Sequence, residues 1–123
     1  MTTKVLITDD SSFVRTMLKK ILVANGYEVV GEATNGIEAI NLYKKLSPDI
    51  VTMDITMPDM DGVQAVKKII EIDPAAIIIM CSVENNRAEI FNAIKEGAKD
   101  YIMKPFEAQQ VIDLFQKLIP EVH

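Results

Sequence analysis

Short apolar segments and amphipathic patterns alternate along the whole of this 123-residue chain. The apolar segments Lys4–Thr8 and Ile50–Met53 have few or no polar positions, which is typical of strands buried on both faces of a sheet. The segments between them place apolar residues three and four positions apart, which is typical of helices. Alternation of this kind, with short connections, predicts a parallel sheet with right-handed crossovers and helices on both faces.

The predicted fold class is α/β, a flavodoxin-like doubly wound five-stranded parallel sheet of order 2-1-3-4-5 with five helices. The predicted strands are 4–8, 27–33, 50–53, 76–81 and 101–103, with the second at an edge of the sheet. Helices are expected over 12–25, from 36 to 46, around 63–70, over 84–97 and over 108–119. The residues expected to face inward from the first, second, fourth and last helices include Phe13, Leu18, Leu22, Ile37, Ile40, Tyr43, Leu46, Ile90, Ala93, Ile94, Ala108, Val111, Ile112 and Phe115.

Length and composition favour one domain over residues 1–123, without a membrane span or a signal peptide. A single cysteine, Cys81, is expected to be a small buried hydrophobic residue, which agrees with a reducing compartment and a cytoplasmic location. The net charge of −5 argues against nucleic acid or an anionic membrane as the main partner.

Polar side chains follow four of the five predicted strands, at the point where each strand ends. They are Asp9, Asp10, Asp54, Ser82 and Lys104. In the order 2-1-3-4-5, strands one and three are neighbours, so the three carboxylates should converge at one edge of the sheet, with Ser82 and Lys104 close by. Carboxylates that only cap helices are the ordinary alternative for Asp9 or Asp10 alone, but not for the whole set.

Three carboxylates this close repel one another. At about 5 Å and an effective dielectric of about 20, each pair costs about 3 kcal/mol. Lys104 can offset one charge, and a divalent cation is expected to offset the rest. Oxygen ligands favour Mg²⁺, Mn²⁺ or Ca²⁺ over zinc, and Mg²⁺ is expected because few protein ligands leave places for water and phosphate. Carboxylate, Mg²⁺, lysine and hydroxyl together suit phosphoryl transfer, with Asp54 as the nucleophile and Asp9 and Asp10 as metal ligands.

Other notable residues have more ordinary expectations. Asp59 and Asp61 are expected in a turn and a helix cap after Pro58. Tyr101 is expected either to pack in the core or to face a partner, and the sequence leaves both open. His123, the last residue, is expected to be solvated.

Four separated motifs resemble the receiver domain of bacterial response regulators. They are Asp9-Asp10, the run M-D-I-T-M-P-D-M-D-G that contains Asp54, Cys81-Ser82, and D-Y-I-M-K-P-F with Lys104-Pro105. The resemblance spans the whole chain. Thr8 is a departure, because the family usually has an aliphatic residue there.

The resemblance implies that Asp54 accepts a phosphoryl group from a histidine kinase. It further implies that Asp9, Asp10, Asp54 and the backbone carbonyl of Thr56 bind Mg²⁺, that Lys104 contacts the phosphoryl group, and that Lys104-Pro105 is a cis peptide bond. Ser82 and Tyr101 match the positions whose rearrangement reports phosphorylation in the family.

Since the sequence stops after the fifth predicted helix, it resembles a stand-alone, monomeric receiver of the chemotaxis type, with an effector such as a flagellar switch component. Such a protein is not an enzyme beyond its own phosphorylation and dephosphorylation.

Three rival functions share features with this pattern. A haloacid-dehalogenase-type phosphatase needs an acid two residues after the nucleophile, where this chain has Thr56. A flavodoxin would bring a flavin phosphate to the loop after strand one, where Asp9 and Asp10 would repel it. A phosphorelay intermediate, which passes its phosphoryl group to another histidine, has the same site and stays open as an alternative.

Overall fold

The computed structural model describes residues 2–120, so the prediction for His123 lies outside the described residues. Five parallel strands form one sheet in the order β2-β1-β3-β4-β5, as predicted. The strands are β1 Lys4–Thr8, β2 Glu28–Ala33, β3 Ile50–Asp54, β4 Ile78–Ser82 and β5 Asp100–Met103. The helices are α1 Ser12–Ala24, α2 Gly36–Leu46, α3 Gly62–Ile72, α4 Arg87–Glu96 and α5 Ala108–Leu118.

The two faces of the sheet carry two separate apolar cores. Alternate residues of β1, such as Val5 and Ile7, pack with Leu18 and Leu22 of α1 and with Phe115 of α5. Leu6 and the residues of β3 and β4 that share its face pack with α2, α3 and α4. The helices therefore cover both faces, which is the doubly wound arrangement predicted from the sequence.

Three residues at helix ends form the caps and the stop expected from the sequence. The Oγ of Ser11 accepts a hydrogen bond from the backbone N–H of Val14 at the start of α1. The carboxylate of Asp61 accepts one from the N–H of Gln64 at the start of α3. Gly26 ends the first helix with a φ of +88°, a conformation that glycine adopts without strain.

The prediction of an inward-facing side chain is wrong for four residues. Phe13 and Ile37 are 73% and 47% exposed, Ile94 is 39% exposed, and Ala108 is also exposed. The spacing of apolar residues identifies the apolar face of a helix. It does not show which turns of that helix are buried. Phe13, Ile37 and Ala108 lie in the first turns of α1, α2 and α5.

The starts of two elements differ from the prediction by two or three residues. The fourth strand begins at Ile78 rather than at Ala76, because Ala76 is still in the turn and its N–H donates to the carbonyl of Asp73. The helix predicted from Glu84 is a short 3₁₀ turn, Glu84–Asn86, followed by α4 from Arg87. Neither difference moves the carboxyl ends of the strands, so the predicted site is unaffected.

Candidate functional site

The carboxyl ends of the central strands bring the predicted polar residues together. Thr8, immediately before Asp9, is paired with Met53, immediately before Asp54, and Asp54 is itself paired with Cys81, the neighbour of Ser82. Lys104 follows directly after β5, and its backbone N–H donates to the carbonyl of Ser82 at 2.7 Å. This register places the predicted set at one edge of the sheet.

Three carboxylates form a cluster at this edge. One oxygen each from Asp9, Asp10 and Asp54 lies within 4.8 Å of the others. Asp9 and Asp54 are buried, with 2% and 7% of their surface exposed, whereas Asp10 is exposed. The donors are all oxygen and one side of the cluster is open to solvent, so these residues fit a divalent cation of the Mg²⁺ type that keeps some water ligands.

Lys104 pairs directly with two of these carboxylates. Its Nζ lies 2.6 Å from Oδ2 of Asp9 and 3.3 Å from Oδ1 of Asp54. Burial alone would lower the pKa of Lys104, but the hydrogen bond to Asp9 and the charges of Asp54 and Asp9 outweigh that effect, so the pKa rises. Lys104 is therefore a permanent positive charge at physiological pH, and one lysine leaves the three carboxylates with excess negative charge.

Asp54 differs from an ordinary surface carboxylate. Burial raises its pKa to about 6, and the negative charge of Asp9 adds to the shift. Lys104 and a hydrogen bond from the N–H of Ile55, at 2.9 Å, act in the opposite direction. The ionised carboxylate of Asp54 is therefore less stabilised, and more basic, than an ordinary surface carboxylate. These properties suit a nucleophile.

The loop after β3 holds Asp54 through a close backbone contact. The N–H of Gly62 donates to the carbonyl of Ile55 at 2.7 Å. A Cβ atom at Gly62 would overlap the backbone carbonyl of Asp54, so only glycine fits there. Asp59 adopts a φ of +67° in this loop, in keeping with the turn predicted for it. The loop thus turns away directly beside the nucleophile.

Asp9 is held from several directions, and one of its partners was missed by the sequence reasoning. Its carboxylate accepts from the N–H of Ser11 at 2.9 Å as well as from Lys104. Its backbone carbonyl accepts from Nη1 of Arg15 at 2.8 Å. The only signal for Arg15 in the sequence is a cation one turn into the helix that follows Asp9-Asp10, which is too general to single out.

The remaining predicted residues lie where the topology requires. Ser82 is fully buried, and its Oγ donates to the carbonyl of Val83 at 3.3 Å. Tyr101 is 47% exposed, which answers the open question of its packing, since it faces outward and not into the core. Thr56 is exposed in the loop two residues after Asp54, and the metal-ligand role of its carbonyl stays a prediction.

Two further expectations are met beside the site. Lys104-Pro105 is a cis peptide bond. Cys81 is buried and free, and burial raises the pKa of its thiol to about 12, so it is inert packing rather than a nucleophile.

None of the helices within residues 2–120 is long and apolar enough to cross a membrane.

Comparison with known proteins gives one consistent family. The model of the response regulator receiver domain matches residues 5–116. The chemotaxis protein CheY of Thermotoga maritima is 56% identical over 115 residues, which cover 94% of this chain and 96% of that protein. The chemotaxis protein CheY of Bacillus subtilis is 52% identical over 119 residues, covering 97% of this chain and 99% of that protein.

Solved structures agree with the sequence relatives. A chain in the crystal structure of the CheX-CheY-BeF3-Mg complex from Borrelia burgdorferi superposes with a TM-score of 0.91 at 35% identity, covering 97% of this chain and 90% of that one. The chain therefore belongs to the response regulator receiver domain family.

Proposed function

We propose that this chain is the phosphoacceptor of a two-component system, phosphorylated on Asp54 by a histidine kinase with Mg²⁺, and that it signals in chemotaxis. One observation carries the proposal. Asp54 shares a cluster with Asp9 and Asp10 whose oxygens lie within 4.8 Å of one another, and the ammonium of Lys104 lies 3.3 Å from Asp54. These are the groups that a phosphoryl transfer to a carboxylate needs.

The proposed reaction forms one bond and breaks one bond. A carboxylate oxygen of Asp54 attacks the phosphorus of a phosphohistidine whose other ring nitrogen carries a proton, the phosphorus–nitrogen bond breaks with its electron pair going to nitrogen, and the ring leaves as neutral imidazole. Lys104 neutralises charge on the transferring phosphoryl oxygens and orients them. The partial burial of Asp54 limits access of water to the product.

Asp9, Asp10 and Asp54 would hold the cation, with the Thr56 carbonyl as a proposed fourth ligand. When bound, Mg²⁺ supplies charge neutralisation for the phosphoryl oxygens and for the clustered carboxylates. The carboxylate of Asp9 would then exchange its contact with Lys104 for the cation, and this lysine would be released toward Asp54. Ser82 is the proposed hydroxyl partner of the phosphoryl group.

The proposal makes the protein a signalling domain and not an enzyme that turns over a separate substrate. Its only catalysis would be its own phosphorylation and dephosphorylation. Residues 1–123 would act as one monomeric domain in the cytoplasm, between a sensor kinase and an effector protein. An exposed apolar surface around Phe91 and Tyr101, which are 65% and 47% exposed, is a suitable place for the effector.

The chemotaxis role is supported by the names of the relatives. Curated relatives from Thermotoga maritima, Bacillus subtilis and Listeria monocytogenes, at 56%, 52% and 50% identity, are chemotaxis CheY proteins. A flagellar switch component is therefore the proposed effector. The alternative, a phosphorelay intermediate, has the same site but is not favoured by these relatives.

The phosphoacceptor is tested by incubating the protein with acetyl phosphate and Mg²⁺ and measuring intact mass. The parent chain should gain one phosphoryl group, and Asp54→Asn should gain none. Asp59→Asn is the matched control, because it removes a nearby carboxylate that lies outside the cluster, and it should label like the parent. Equal labelling of Asp54→Asn and the parent would show that the phosphoacceptor lies elsewhere.

The role downstream is tested separately. Phosphorylated protein should bind a flagellar switch peptide more tightly than unphosphorylated protein. Rapid transfer of the phosphoryl group to histidine phosphotransfer domains, without any gain in switch binding, would instead establish the relay function.

A further inference from the structure

Arg15 joins the loop after β1 to the neighbouring strand β2. Its Nη1 donates to the backbone carbonyl of Asp9 at 2.8 Å. Its Nε donates to Oε1 of Glu32 at 3.0 Å. The side chain of Arg15 is only 16% exposed, so this bridge is not a loose surface ion pair. One guanidinium group thus fixes a backbone atom of a cluster residue to a carboxylate on a rigid strand.

The carbonyl that Arg15 holds belongs to the peptide between Asp9 and Asp10. The backbone N–H of Asp9, in the preceding peptide, donates to the carbonyl of Ala33 in β2 at 3.0 Å. The orientation of the Asp9–Asp10 peptide determines the direction in which the chain leaves Asp9, and hence the position of the exposed Asp10 carboxylate. Arg15 therefore acts on the one member of the cluster that burial does not fix.

We propose that Arg15, anchored by Glu32, is a positioning residue that orients the Asp9–Asp10 peptide for divalent-cation binding. The inference rests on the metal site in the proposed function. Arg15 does not touch the cation or the phosphoryl group in this scheme. Partners that orient metal ligands from behind typically affect metal affinity by about 10–100-fold.

If the charge of Arg15 were its only effect, removing Arg15 would change the metal affinity in the opposite direction. Arg15 is a cation close to a site that binds cations, so removing its charge should tighten metal binding if repulsion were its only effect. If Arg15 orients Asp10, its removal should weaken binding in spite of the lost repulsion. The direction of the change in metal affinity therefore distinguishes the two effects.

Arg15→Met, Arg15→Lys and Lys19→Met are the informative variants. Lys19 also faces Glu32, at 3.8 Å, and is 50% exposed, so Lys19→Met removes the same charge from the same helix without a contact to Asp9. Arg15→Lys keeps the charge but loses the two separately directed donors of the guanidinium. Glu32→Gln leaves the contact of Arg15 with Asp9 in place, weakens the anchor of Arg15 and also removes the ion pair with Lys19.

The experiment titrates each folded protein with Mg²⁺ by isothermal calorimetry, without any phosphodonor. Arg15→Met should bind Mg²⁺ about tenfold more weakly than the parent, Arg15→Lys should also bind more weakly, and Glu32→Gln should show a smaller loss. Lys19→Met should bind as tightly as the parent or slightly more tightly. If Arg15→Met does not fold, Arg15→Lys decides the question by the same comparison.

A second readout does not depend on metal. In the metal-free protein, the backbone ¹⁵N resonance of Asp10 should shift in Arg15→Met and stay unchanged in Lys19→Met, because Arg15 bonds the carbonyl of the same peptide unit. Equal or tighter Mg²⁺ binding by Arg15→Met overturns this inference alone. A parent chain that binds no Mg²⁺ overturns the proposed metal site and this inference with it.

Discussion

The ammonium of Lys104 lies closer to Asp9 than to Asp54, at 2.6 Å compared with 3.3 Å. Without a metal, Lys104 therefore pairs more closely with Asp9 than with Asp54. A divalent cation bound by Asp9 must compete with this ion pair. We therefore expect Lys104 to lower the affinity of the unphosphorylated chain for a divalent cation.

Lys104→Met should tighten Mg²⁺ binding to the unphosphorylated chain. A unit charge about 5 Å away at an effective dielectric of about 20 is worth about 3 kcal/mol, and partial solvent exposure reduces this to an effect on the order of tenfold. Calorimetric titration of the two proteins measures it. Lys117→Met is the control, because this exposed lysine pairs with Asp100 at 3.7 Å and should leave the affinity unchanged. Weaker Mg²⁺ binding by Lys104→Met would contradict the competition.

The stability cost of ionised Asp54 should appear as the pH rises. Its pKa is raised from 3.8 to about 6, so between these values the folded state binds the proton more tightly than the unfolded state does. Stability from this group is then greatest at low pH and declines as the pH rises through about 6. Asp54→Asn cannot ionise, so without metal it should be more stable than the parent at pH 7–8, and the difference should shrink toward pH 4.

Thermal melts of the parent and Asp54→Asn at several pH values test this dependence, because the carboxylates outside the cluster titrate alike in both proteins and cancel in the difference. Excess Mg²⁺ should reduce the advantage of Asp54→Asn at neutral pH. A melting-temperature difference that does not change from pH 4 to pH 8 would contradict the raised pKa.

The clustered residues could be predicted because all strands of a parallel sheet end at the same edge, and the strand order because 2-1-3-4-5 is a common arrangement of five alternating strands and helices. Apolar runs that end on Asp9, Asp54, Ser82 or Lys104 must place these side chains at the same edge of a parallel sheet. Contacts between particular atoms could not be predicted in this way. Lys104 and Asp9 are 95 positions apart, and nothing in the spacing shows that the lysine prefers this carboxylate to Asp54.

The role of Arg15 shows a second limit. It binds a backbone carbonyl, and every residue has one, so the sequence does not indicate which carbonyl is held. Phe13 and Ile37 show a third limit, because helical spacing identifies the apolar face of a helix but not whether a residue in its first turn is covered.

Gly62→Ala should destabilise the protein and disturb the site together. The added methyl group would overlap the carbonyl of Asp54 and come within 3.0 Å of Cα of Ile55, and backbone atoms cannot move aside as a flexible side chain can. We expect a loss of about 3 kcal/mol in the free energy of unfolding by urea denaturation, with weaker Mg²⁺ binding.

Gly26→Ala is a useful comparison for this variant. Gly26 has a φ of +88°, but a methyl group added there would meet no atom of residues 2–120 within 4 Å beyond its chain neighbours. The cost should therefore be backbone strain of about 1 kcal/mol, and Mg²⁺ binding should not change. Parent-like stability of Gly62→Ala would contradict the packing described for the loop after β3.

Thr8→Val should stabilise the protein. Thr8 is 1% exposed, and within residues 2–120 its Oγ1 has no hydrogen-bond partner. Valine has nearly the same shape without the buried hydroxyl, so we expect a gain of about 1 kcal/mol. Thr16→Val, at an exposed position of α1, should change the free energy of unfolding by less than about 0.5 kcal/mol. A lower melting temperature for Thr8→Val would indicate that the hydroxyl is stabilised after all.

Ser82 and Tyr101 should separate phosphorylation from signalling. Among the described residues, the Oγ of Ser82 makes one long hydrogen bond, 3.3 Å to the carbonyl of Val83, so it can be redirected toward a phosphoryl group at little cost. Moving a two-state equilibrium from 1:99 to 99:1 takes about 5.5 kcal/mol. Charge-assisted hydrogen bonds contribute about 1.5–3 kcal/mol each, so Ser82 and Lys104 together could supply roughly 3–6 kcal/mol.

It follows that Ser82→Ala should accept the phosphoryl group and switch only partly, because about half of the stabilisation of the switched state is lost. Tyr101→Ala should be phosphorylated like the parent and bind the effector more weakly, since Tyr101 is exposed and is not one of the groups that hold the metal or the phosphoryl group in this scheme. Phosphoryl incorporation and affinity for a flagellar switch peptide are measured for both variants. If phosphorylated Ser82→Ala binds the peptide as tightly as the phosphorylated parent, the hydroxyl of Ser82 does not couple the site to the output surface.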